Sequence, residues 1–227
     1  ILRYVVLAIV TFITLFPLVI VLSSSFKNES ELFDFPFKFI PAKPITDNFT
    51  RLKENFPLYI WNSVKLTFVI VIVQLFTAAT GAYVFTKLHW KGRDFIFGLY
   101  IASMMIPMQA VMIPQFLIIR SINLYDTHMS LVLLGAFTAF GTFLIKQFFM
   151  SIPDTYCEAA RIDGAKEWTI FSTLMLPMSK AVLVTQIIFS FRYFWNDFFT
   201  PLIYITTPQL KTLPLGMTDF VREQYVY

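Results

Sequence analysis

The side chains of this sequence best placed to bind another protein lie in EAARIDGAKEW, residues 158–168, between long apolar runs. Four of them offer charges of both signs to a polar partner: Glu158, Arg161, Asp163 and Lys166. The adjacent Ala159 and Ala160 let another surface approach closely. The predicted role of these residues is non-covalent binding of a partner protein, and no covalent step is expected here. An amphipathic helix lying on lipid would show the same pattern and is the alternative interpretation.

A second polar group interrupts the apolar segment 181–206. Its members combine aromatic faces with amide and carboxylate acceptors, which suit sugar rings and hydroxyls: Tyr193, Trp195, Asn196 and Asp197. Charges inside a span are costly and often mark a substrate path. Pro107 and Pro114 are expected to break up the apolar segment 95–119, since prolines in a spanning helix often mark bends, and Met108 and Gln109 are candidates to gate such a path. The alternative is structural, with these side chains only holding helices together.

No catalytic residue and no metal ligand set is predicted. The glycines offer no phosphate-binding loop, and neither a zinc-binding HExxH helix nor a GxSxG elbow occurs. Cys157 is the only cysteine, so no internal disulfide forms. No run of Lys and Arg resembles a nucleic-acid patch, and a nucleic-acid partner is not expected.

Composition places these groups in a membrane protein, because 57% of the residues are hydrophobic and only 14% are charged. Five segments are long and apolar enough to cross a bilayer as helices: Tyr4–Phe26, Leu66–Thr86, Phe95–Ile119, Met129–Ile145 and 181–206. The predicted fold class is therefore an all-α membrane protein. Residues 1–227 are expected to form a single transmembrane domain.

The segment 87–94 contains three Lys or Arg residues, which indicates the cytoplasmic side. The N-terminus and residues 151–178 then lie inside, and 27–60, 120–128 and 207–227 lie outside. The 27–60 segment also carries five bases, so the charge rule by itself does not decide the orientation. The first residue is Ile1, and an incomplete N-terminus is expected.

Within residues 151–178, the sequence predicts a short helix followed by a turn. Pro153 suits a first helical turn, Asp154 favours its positive end, and Gly164 can adopt the left-handed conformation that ends a helix. Helical spacing places a set of residues on one face: Tyr156, Ala159, Ala160 and Asp163.

The same residues carry a resemblance to a known family. Glu158-Ala159-Ala160, Gly164, Leu174 and Leu176-Pro177 match the signature cytoplasmic loop of permease subunits of bacterial ABC importers, with Leu174 where the family has Ile. Other pieces resemble the carbohydrate branch, the maltose-type second permease: GAYVFTKLHWKGR at 81–93, MIPMQAVMIPQF at 105–116, LYDTHMSLVL at 124–133 and FWNDFFTPLIY at 194–204. The resemblance covers nearly the whole chain.

The resemblance implies a type I ABC importer transmembrane domain in the bacterial cytoplasmic membrane. Family members have six spans, so a sixth is expected to be missing from the C-terminus. The loop would act as a coupling helix docked on an ATPase, with these residues in contact or supporting it: Glu158, Ala159, Ala160, Arg161, Asp163 and Gly164.

The implied partners are a second permease in a heterodimer, two ATP-binding subunits, an extracytoplasmic sugar-binding protein and membrane lipid. ATP and Mg²⁺ would bind the partner subunits, with no cofactor in this chain. A sugar or oligosaccharide is the expected cargo, and glycerol phosphate or another polyol derivative is the alternative. An ATP-independent secondary transporter and an intramembrane enzyme are the competing classes.

Overall fold

The computed structural model describes residues 2–32, 38–41, 43–50 and 55–225, and the regular elements within these ranges are all helical. The chain forms two compact units, Ile1–Pro57 and Leu58–Tyr227. The prediction of one domain over residues 1–227 concerns both units together and stays a prediction. The helical class follows from the uniformly apolar runs, whose backbone groups are satisfied inside each helix.

The smaller unit is built on helix α1, Leu2–Ser24, followed by two single turns, α2 (Glu29–Leu32) and α3 (Asp47–Thr50). No residue of α1 is buried, as expected of an apolar helix whose surface contacts lipid. The predicted span Tyr4–Phe26 agrees with α1 within two residues at each end.

The longest helix, α4, runs from Phe56 to Lys87 over 32 residues. It begins ten residues before the predicted start at Leu66, because polar Asn62, Ser63 and Lys65 interrupt the apolar run without breaking the helix. At 1.5 Å per residue the helix is about 48 Å long, more than the hydrocarbon thickness. It therefore reaches both ends of the larger unit.

The third predicted span is bent. Helix α5 (Arg93–Ala102) continues as a 3₁₀ turn to Met105, and helix α6 (Met108–Ser121) then leaves at 103°. Pro107 lies at the bend and Ile106 before it is extended, as a residue preceding proline prefers. A proline-induced break was predicted here and is confirmed.

Helices α7 (His128–Gly135) and α8 (Ala139–Ser151) together form the fourth span. The remaining elements follow in chain order: α9 (Thr155–Ile162), α10 (Glu167–Thr169), a π-helical turn (Ile170–Met175), α11 (Leu176–Met178), α12 (Lys180–Trp195), α13 (Phe199–Tyr204), a 3₁₀ turn (Pro208–Leu210) and α14 (Leu213–Tyr225). The chain bends by 81° between α11 and α12.

Within the described ranges, three helices are long and apolar enough to span a membrane, and up to five if each bent pair counts as one span. This agrees with the five predicted spans. The fifth differs in its bounds: the helix ends at Trp195, and the bent pair is Glu167–Met178 with Lys180–Trp195. Residues 196–206 form a separate short helix instead of continuing the span.

Two buried clusters hold the larger unit together, one towards each end of α4. The first surrounds Ala78, Ala79 and Ala82, whose small side chains let α8 and α9 pack closely against α4. The second surrounds Leu66 and Ile70 and includes Tyr204, which is fully buried. The clusters position two regions, called here the Lys87 end and the Asn62 end of α4.

Candidate functional site

Helix α9 at the Lys87 end is the short helix predicted between Pro153 and Gly164. Gly164 has a φ of +83°, the predicted left-handed conformation. Ala165 N donates to Ala160 O at 2.9 Å, and Gly164 N donates to Arg161 O at 3.0 Å. These two bonds form a Schellman motif, so the helix ends at a defined point without fraying.

The two faces of α9 have different surroundings. Cys157 is 1% exposed, and Ala160, three residues later, packs against the same buried cluster. The opposite face exposes Tyr156, Ala159 and Asp163. Ala160, predicted on one face with these three residues, lies at the edge of that face and is half-buried, because it is the member of the set nearest to Cys157 around the helix.

Two further side chains extend the exposed face. Glu158 is exposed, and the aliphatic side chain of Ile162 is 86% exposed. The face therefore combines acidic groups, an aromatic ring and an isolated aliphatic group around the small Ala159. The exposed ring and aliphatic group are of the kind found at the centre of protein interfaces, and the acidic groups are of the kind found at their polar rim.

A buried lysine ties the start of α9 to α4. Lys87 Nζ donates to Asp154 Oδ1 and to Ile152 O, both at 2.6 Å, and the Lys87 side chain is only 2% exposed. The hydrogen bond from Lys87 holds the pKa of the Asp154 carboxyl below its usual value. Asp154 therefore anchors the helix to α4, and its carboxylate makes no capping hydrogen bond to α9.

A second charged pair braces the end of α9. Arg161 Nε donates to Glu167 Oε1 at 2.7 Å, and Tyr83 of α4 donates to Glu167 Oε2 at 2.5 Å. The Arg161 guanidinium also donates to Lys87 O at 3.4 Å. The sequence analysis predicted that the charge of Arg161 is available to a partner, whereas in the structure Arg161 forms an ion pair with Glu167.

Sequence reasoning did not identify Tyr83, Lys87 or Glu167 as parts of this site. One signal was present in the sequence: Lys87 directly follows an apolar run on the basic side of the span. Its partner Asp154 lies 67 residues away, and only the packing of α8 and α9 on α4 brings the two together.

The Asn62 end is held by bonds between side chains and backbone. Asn62 Nδ2 donates to Gln209 O at 2.8 Å and to Lys211 O at 3.0 Å. Ser63 Oγ accepts from Leu213 N at 2.7 Å. These bonds attach the segment after α13 to the first turns of α4.

Asp126 organises the same end. Its carboxylate accepts from the backbone N–H groups of Thr206 and Thr207 at 2.8 and 2.9 Å, and from the Thr207 hydroxyl at 2.5 Å. Burial by itself would raise the pKa of Asp126, but these hydrogen bonds outweigh it and lower the pKa to about 2. Asp126 and Thr207 come from two segments predicted on the outer side and thus lie together, as do Lys87 and Asp154 from two segments predicted on the inner side.

A cavity of about 460 Å³ opens between the two ends. One face of α4 lines it with Ser63, Thr67, Ile70 and Gln74, which follow helical spacing. Eleven residues of rise make this wall about 16 Å long. The volume is within the usual range for small-molecule sites.

The structure divides the six residues predicted for the substrate path. Three line the cavity: Met108, Tyr193 and Asp197. The other three are absent from its lining: Gln109, Trp195 and Asn196. Two of these make local contacts at the end of α12, where the Trp195 ring stacks on Phe191 at 5.6 Å and Asn196 Nδ2 donates to Arg192 O at 2.7 Å.

Sequence reasoning missed a polar cluster in the cavity wall, formed by Gln74, Gln186 and Ser190. Ser190 Oγ donates to Gln74 Oε1 at 2.5 Å, and Gln186 Nε2 donates to Ser190 Oγ at 2.9 Å. Gln74 Nε2 donates to Gly135 O at 2.8 Å. The available signal was a glutamine inside each of two apolar runs. In the described part of the chain, no group of His, Cys, Asp and Glu is arranged to hold a metal ion.

Residues 75–219 match the family described as "Binding-protein-dependent transport system inner membrane component". The match includes helix α9, the whole first cluster, the second cluster except Leu66 and Ile70, and most of the cavity wall. The chain belongs to this family. It is therefore a permease subunit of an ABC importer, an inner-membrane protein that works with an ATPase and a substrate-binding protein. The predicted family, fold class and localisation are confirmed.

Individual relatives agree. The arabinooligosaccharides transport system permease protein AraQ of Halalkalibacterium halodurans is 31% identical over 94% of this chain and 78% of that protein. The sn-glycerol-3-phosphate transport system permease protein UgpE of Yersinia enterocolitica is 28% identical over 96% of this chain and 80% of that protein. A crystal structure of a bacterial ABC transporter involved in the import of the acidic polysaccharide alginate contains a similar chain, with a TM-score of 0.84 and 25% identity, covering 99% of this permease and 79% of that chain.

Proposed function

We propose that this permease carries a neutral sugar or oligosaccharide into the cell by alternating access, as one half of a heterodimer with a second permease. The observation that supports this most strongly is the placement of α4. Its Lys87 end holds helix α9, and the face from Ser63 to Gln74 lines the cavity. A displacement of α9 is thereby linked to a displacement of the cavity wall through one helix.

Helix α9 is the proposed docking element for the ATPase, which places the Lys87 end in the cytoplasm. Glu158, Ala159 and Asp163 form the contacting face, and Gly164 ends the helix. Ala160 packs inwards, and Arg161 braces the helix through Glu167. Two ion pairs make the attachment stiff, and a stiff attachment transmits motion that a flexible tether would lose.

The energy source in this proposal lies outside the chain. A phosphate loop needs two glycines separated by four residues, followed by Lys and Ser or Thr. The glycines stand at 81, 92, 98, 135, 141, 164 and 216 and provide no such pair. ATP and Mg²⁺ are accordingly assigned to two partner subunits, and this chain is assigned no enzymatic site of its own.

The charge of the cavity favours a neutral sugar over glycerol phosphate. Among the described residues that line it, Asp197 is the one charged side chain, and it is negative. A phosphate would need Lys or Arg in the wall for a charge-assisted bond. Hydroxyl groups need only neutral donors and acceptors, which the threonines, serines and glutamines of the wall provide.

The test of the docking role is charge reversal on α9 in the complete transporter, reconstituted in proteoliposomes. Glu158→Lys should abolish ATP-dependent uptake, because the new positive charge would be repelled by the basic groups that are proposed to contact Glu158 on the ATPase. Lys91→Glu is the matched control, since Lys91 is exposed at the same end but lies outside α9.

ATPase subunits that no longer co-purify with the Glu158→Lys permease would support docking through this face. Normal uptake by Glu158→Lys would remove the assignment. A loss of uptake in both variants would indicate a general sensitivity of this end to charge and would equally count against it.

A further inference from the structure

One lysine lies inside a membrane span without an acidic partner. Lys146 belongs to α8, in the fourth span, and is half-buried. Within the described ranges, no ion pair includes it. Asp94 at the start of α5 attracts Lys146 from beyond ion-pair distance, but Arg93 Nε already donates to Asp94 Oδ1 at 2.9 Å. A charge inside a span is costly, so an anion from outside the chain would stabilise Lys146 there.

The contacts that Lys146 does make are weak. Its Nζ lies 4.4 Å from the centre of the Phe97 ring and 3.5 Å from Met150 Sδ. An ammonium has three N–H donors, whereas a thioether sulfur is a weak acceptor and a ring face offers only electrostatic attraction. Most of the donor capacity of Lys146 is therefore available to a stronger acceptor, such as a phosphate oxygen.

The Lys146 side chain is directed towards the Lys87 end. Its contact Met150 follows one helical turn later, close to the end of α8. One turn in the other direction, the hydroxyls of Thr142 and Tyr100 are hydrogen-bonded at 3.3 Å, which holds α8 against α5. The lysine stem thus lies along an apolar surface while its charge approaches the membrane interface, as is usual for a lysine near the end of a span.

Aromatic side chains connect Lys146 to the turn between α4 and α5. Measured between ring centres, Phe97 lies 5.2 Å from Phe85, and Phe85 lies 6.0 Å from Trp90. Trp90 is exposed in this turn. Tryptophan is enriched at the level of the lipid headgroups, because its ring is apolar and its N–H is polar. Trp90 therefore indicates that the headgroup level lies close to the Lys146 ammonium.

The surroundings of Lys146 favour a lipid over a dissolved anion. Phe143 and Met150 lie on the same side of α8 as Lys146, at helical spacing, and both are exposed. An acyl chain can lie along this apolar side, whereas a hydrated phosphate ion gains nothing from it. The residues around the ammonium are called here the Lys146 surface: Trp90, Phe97, Phe143, Lys146 and Met150.

We propose that the Lys146 surface binds an anionic phospholipid, whose phosphate accepts hydrogen bonds from Lys146 Nζ. The assignment rests on the orientation in the proposed function, with the Lys87 end in the cytoplasm. The cytoplasmic leaflet carries the anionic lipids, and basic sites between helices on that side bind their headgroups. The bound lipid stabilises the packing of α5 on α8 and makes no contact with the transported molecule.

The test compares the melting temperature of the complete transporter in two kinds of nanodisc, one of phosphatidylcholine and one of phosphatidylcholine and phosphatidylglycerol in equal parts. Phosphatidylglycerol should raise the melting temperature, because a ligand that binds only the folded state stabilises it. Inorganic phosphate added to the phosphatidylcholine nanodiscs should have no such effect. An equal rise with inorganic phosphate would overturn the assignment to a lipid.

Lys146→Met is the decisive variant. Because it removes a costly charge from the span, it should raise the melting temperature in phosphatidylcholine alone, and the additional rise with phosphatidylglycerol should disappear. Lys146→Arg should keep that additional rise. Mass spectrometry of the lipids retained after purification gives a second readout, in which Lys146→Met should lose the preference for phosphatidylglycerol.

Lys180→Met is the matched control. Lys180 is exposed at the start of α12, directly after the segment predicted to lie inside, and belongs to none of the described ion pairs. It should keep the full effect of phosphatidylglycerol. An unchanged effect in Lys146→Met would overturn the inference, and so would an equal loss in Lys146→Met and Lys180→Met, because the effect would then depend only on total charge.

ATP-dependent sugar uptake by the unmodified transporter is measured separately in both lipid mixtures. Absence of uptake from both would refute the proposed function, while a phosphatidylglycerol effect that depends on Lys146 would still support the lipid site. The two failures are therefore distinguishable.

Discussion

The two ends of α4 are built by different means. At the Lys87 end, charged side chains bind charged side chains from other elements, and the helix they hold exposes one face. At the Asn62 end, most bonds join neutral side chains and Asp126 to backbone groups, with one ion pair between Lys211 and Asp219. The ion pairs hold α9 in place as a rigid unit, whereas the hydrogen bonds to backbone groups hold a loop in one conformation.

The glycines show the same difference. Gly164 has a left-handed backbone and no atom within 4 Å of the position of a Cβ. Gly216 has no such φ, but a Cβ there would overlap the ring of Tyr59. Glycine is needed for conformation at one end and for space at the other, so substitutions at the two positions should fail for different reasons.

The largest effect is expected from Gly164→Pro. Proline fixes φ near −65°, far from +83°, and removes the N–H that donates to Arg161 O. The Schellman motif is lost and α9 changes its exit angle. We expect ATP-dependent uptake in proteoliposomes to fall to background while membrane insertion persists.

The variants Gly164→Ala and Gly92→Ala test whether a loss of transport comes from weaker coupling to ATP hydrolysis or from lower stability. Gly92 also has a left-handed φ, +88°, with nothing within 4 Å. Alanine should strain both positions by about 1–2 kcal/mol. Only Gly164→Ala should raise the ATP consumed per molecule transported; the same rise in Gly92→Ala would show that backbone strain at this end suffices.

Gly216→Ala should act through stability instead. The added methyl group overlaps the Tyr59 ring, and such overpacking costs roughly 1–3 kcal/mol. The melting temperature in detergent should fall, while the ATP consumed per molecule transported stays normal. A change in the ATP consumed per molecule transported by Gly216→Ala would contradict the assignment of different functions to the two ends of α4.

Replacing each end's lysine by methionine compares the two ion pairs. Lys87→Met leaves Ile152 O without its donor, at a cost of about 1–3 kcal/mol. Lys211→Met breaks the pair with Asp219, whose lysine is 17% exposed against 2% for Lys87 and leaves no backbone carbonyl unpaired, at a cost of about 0–1 kcal/mol. The melting temperature should fall further for Lys87→Met; equal falls would contradict the burial argument.

The smallest effect concerns pH at the Asn62 end. The folded pKa of Asp126 is about 2, below the usual value near 4. Its contribution to stability is therefore complete above about pH 4 and is lost as the pH falls towards about 2. The melting temperature of Asp126→Asn should decline less over this range; a parallel decline would refute the assignment. Asp154, also shifted downward, contributes equally in both proteins and cancels.

The sequence predicted the helices well where a run is uniformly apolar, as in α1 and the body of α4. It predicted the bend at Pro107 and the end of α9 at Gly164, because proline and glycine act on the local backbone. It was least accurate where polar residues lie within a helix. Asn62 and Ser63 belong to α4 although they interrupt its hydropathy, and Asn196 lies at a helix end instead of in a path.

By itself, the sequence determined the membrane class, the approximate spans, the short helix α9 and the family, since all of these depend on local composition and spacing. Only the tertiary structure decided which charges stay exposed and which brace the fold. Arg161 and Lys166 are both bases of one segment, but among the described ion pairs it is Arg161 that binds Glu167. The cavity likewise exists because α4 and α12, more than a hundred residues apart, bring Gln74 and Gln186 to one wall. Hydrogen bonds act over about 3 Å, and no sequence pattern specifies which distant groups come that close.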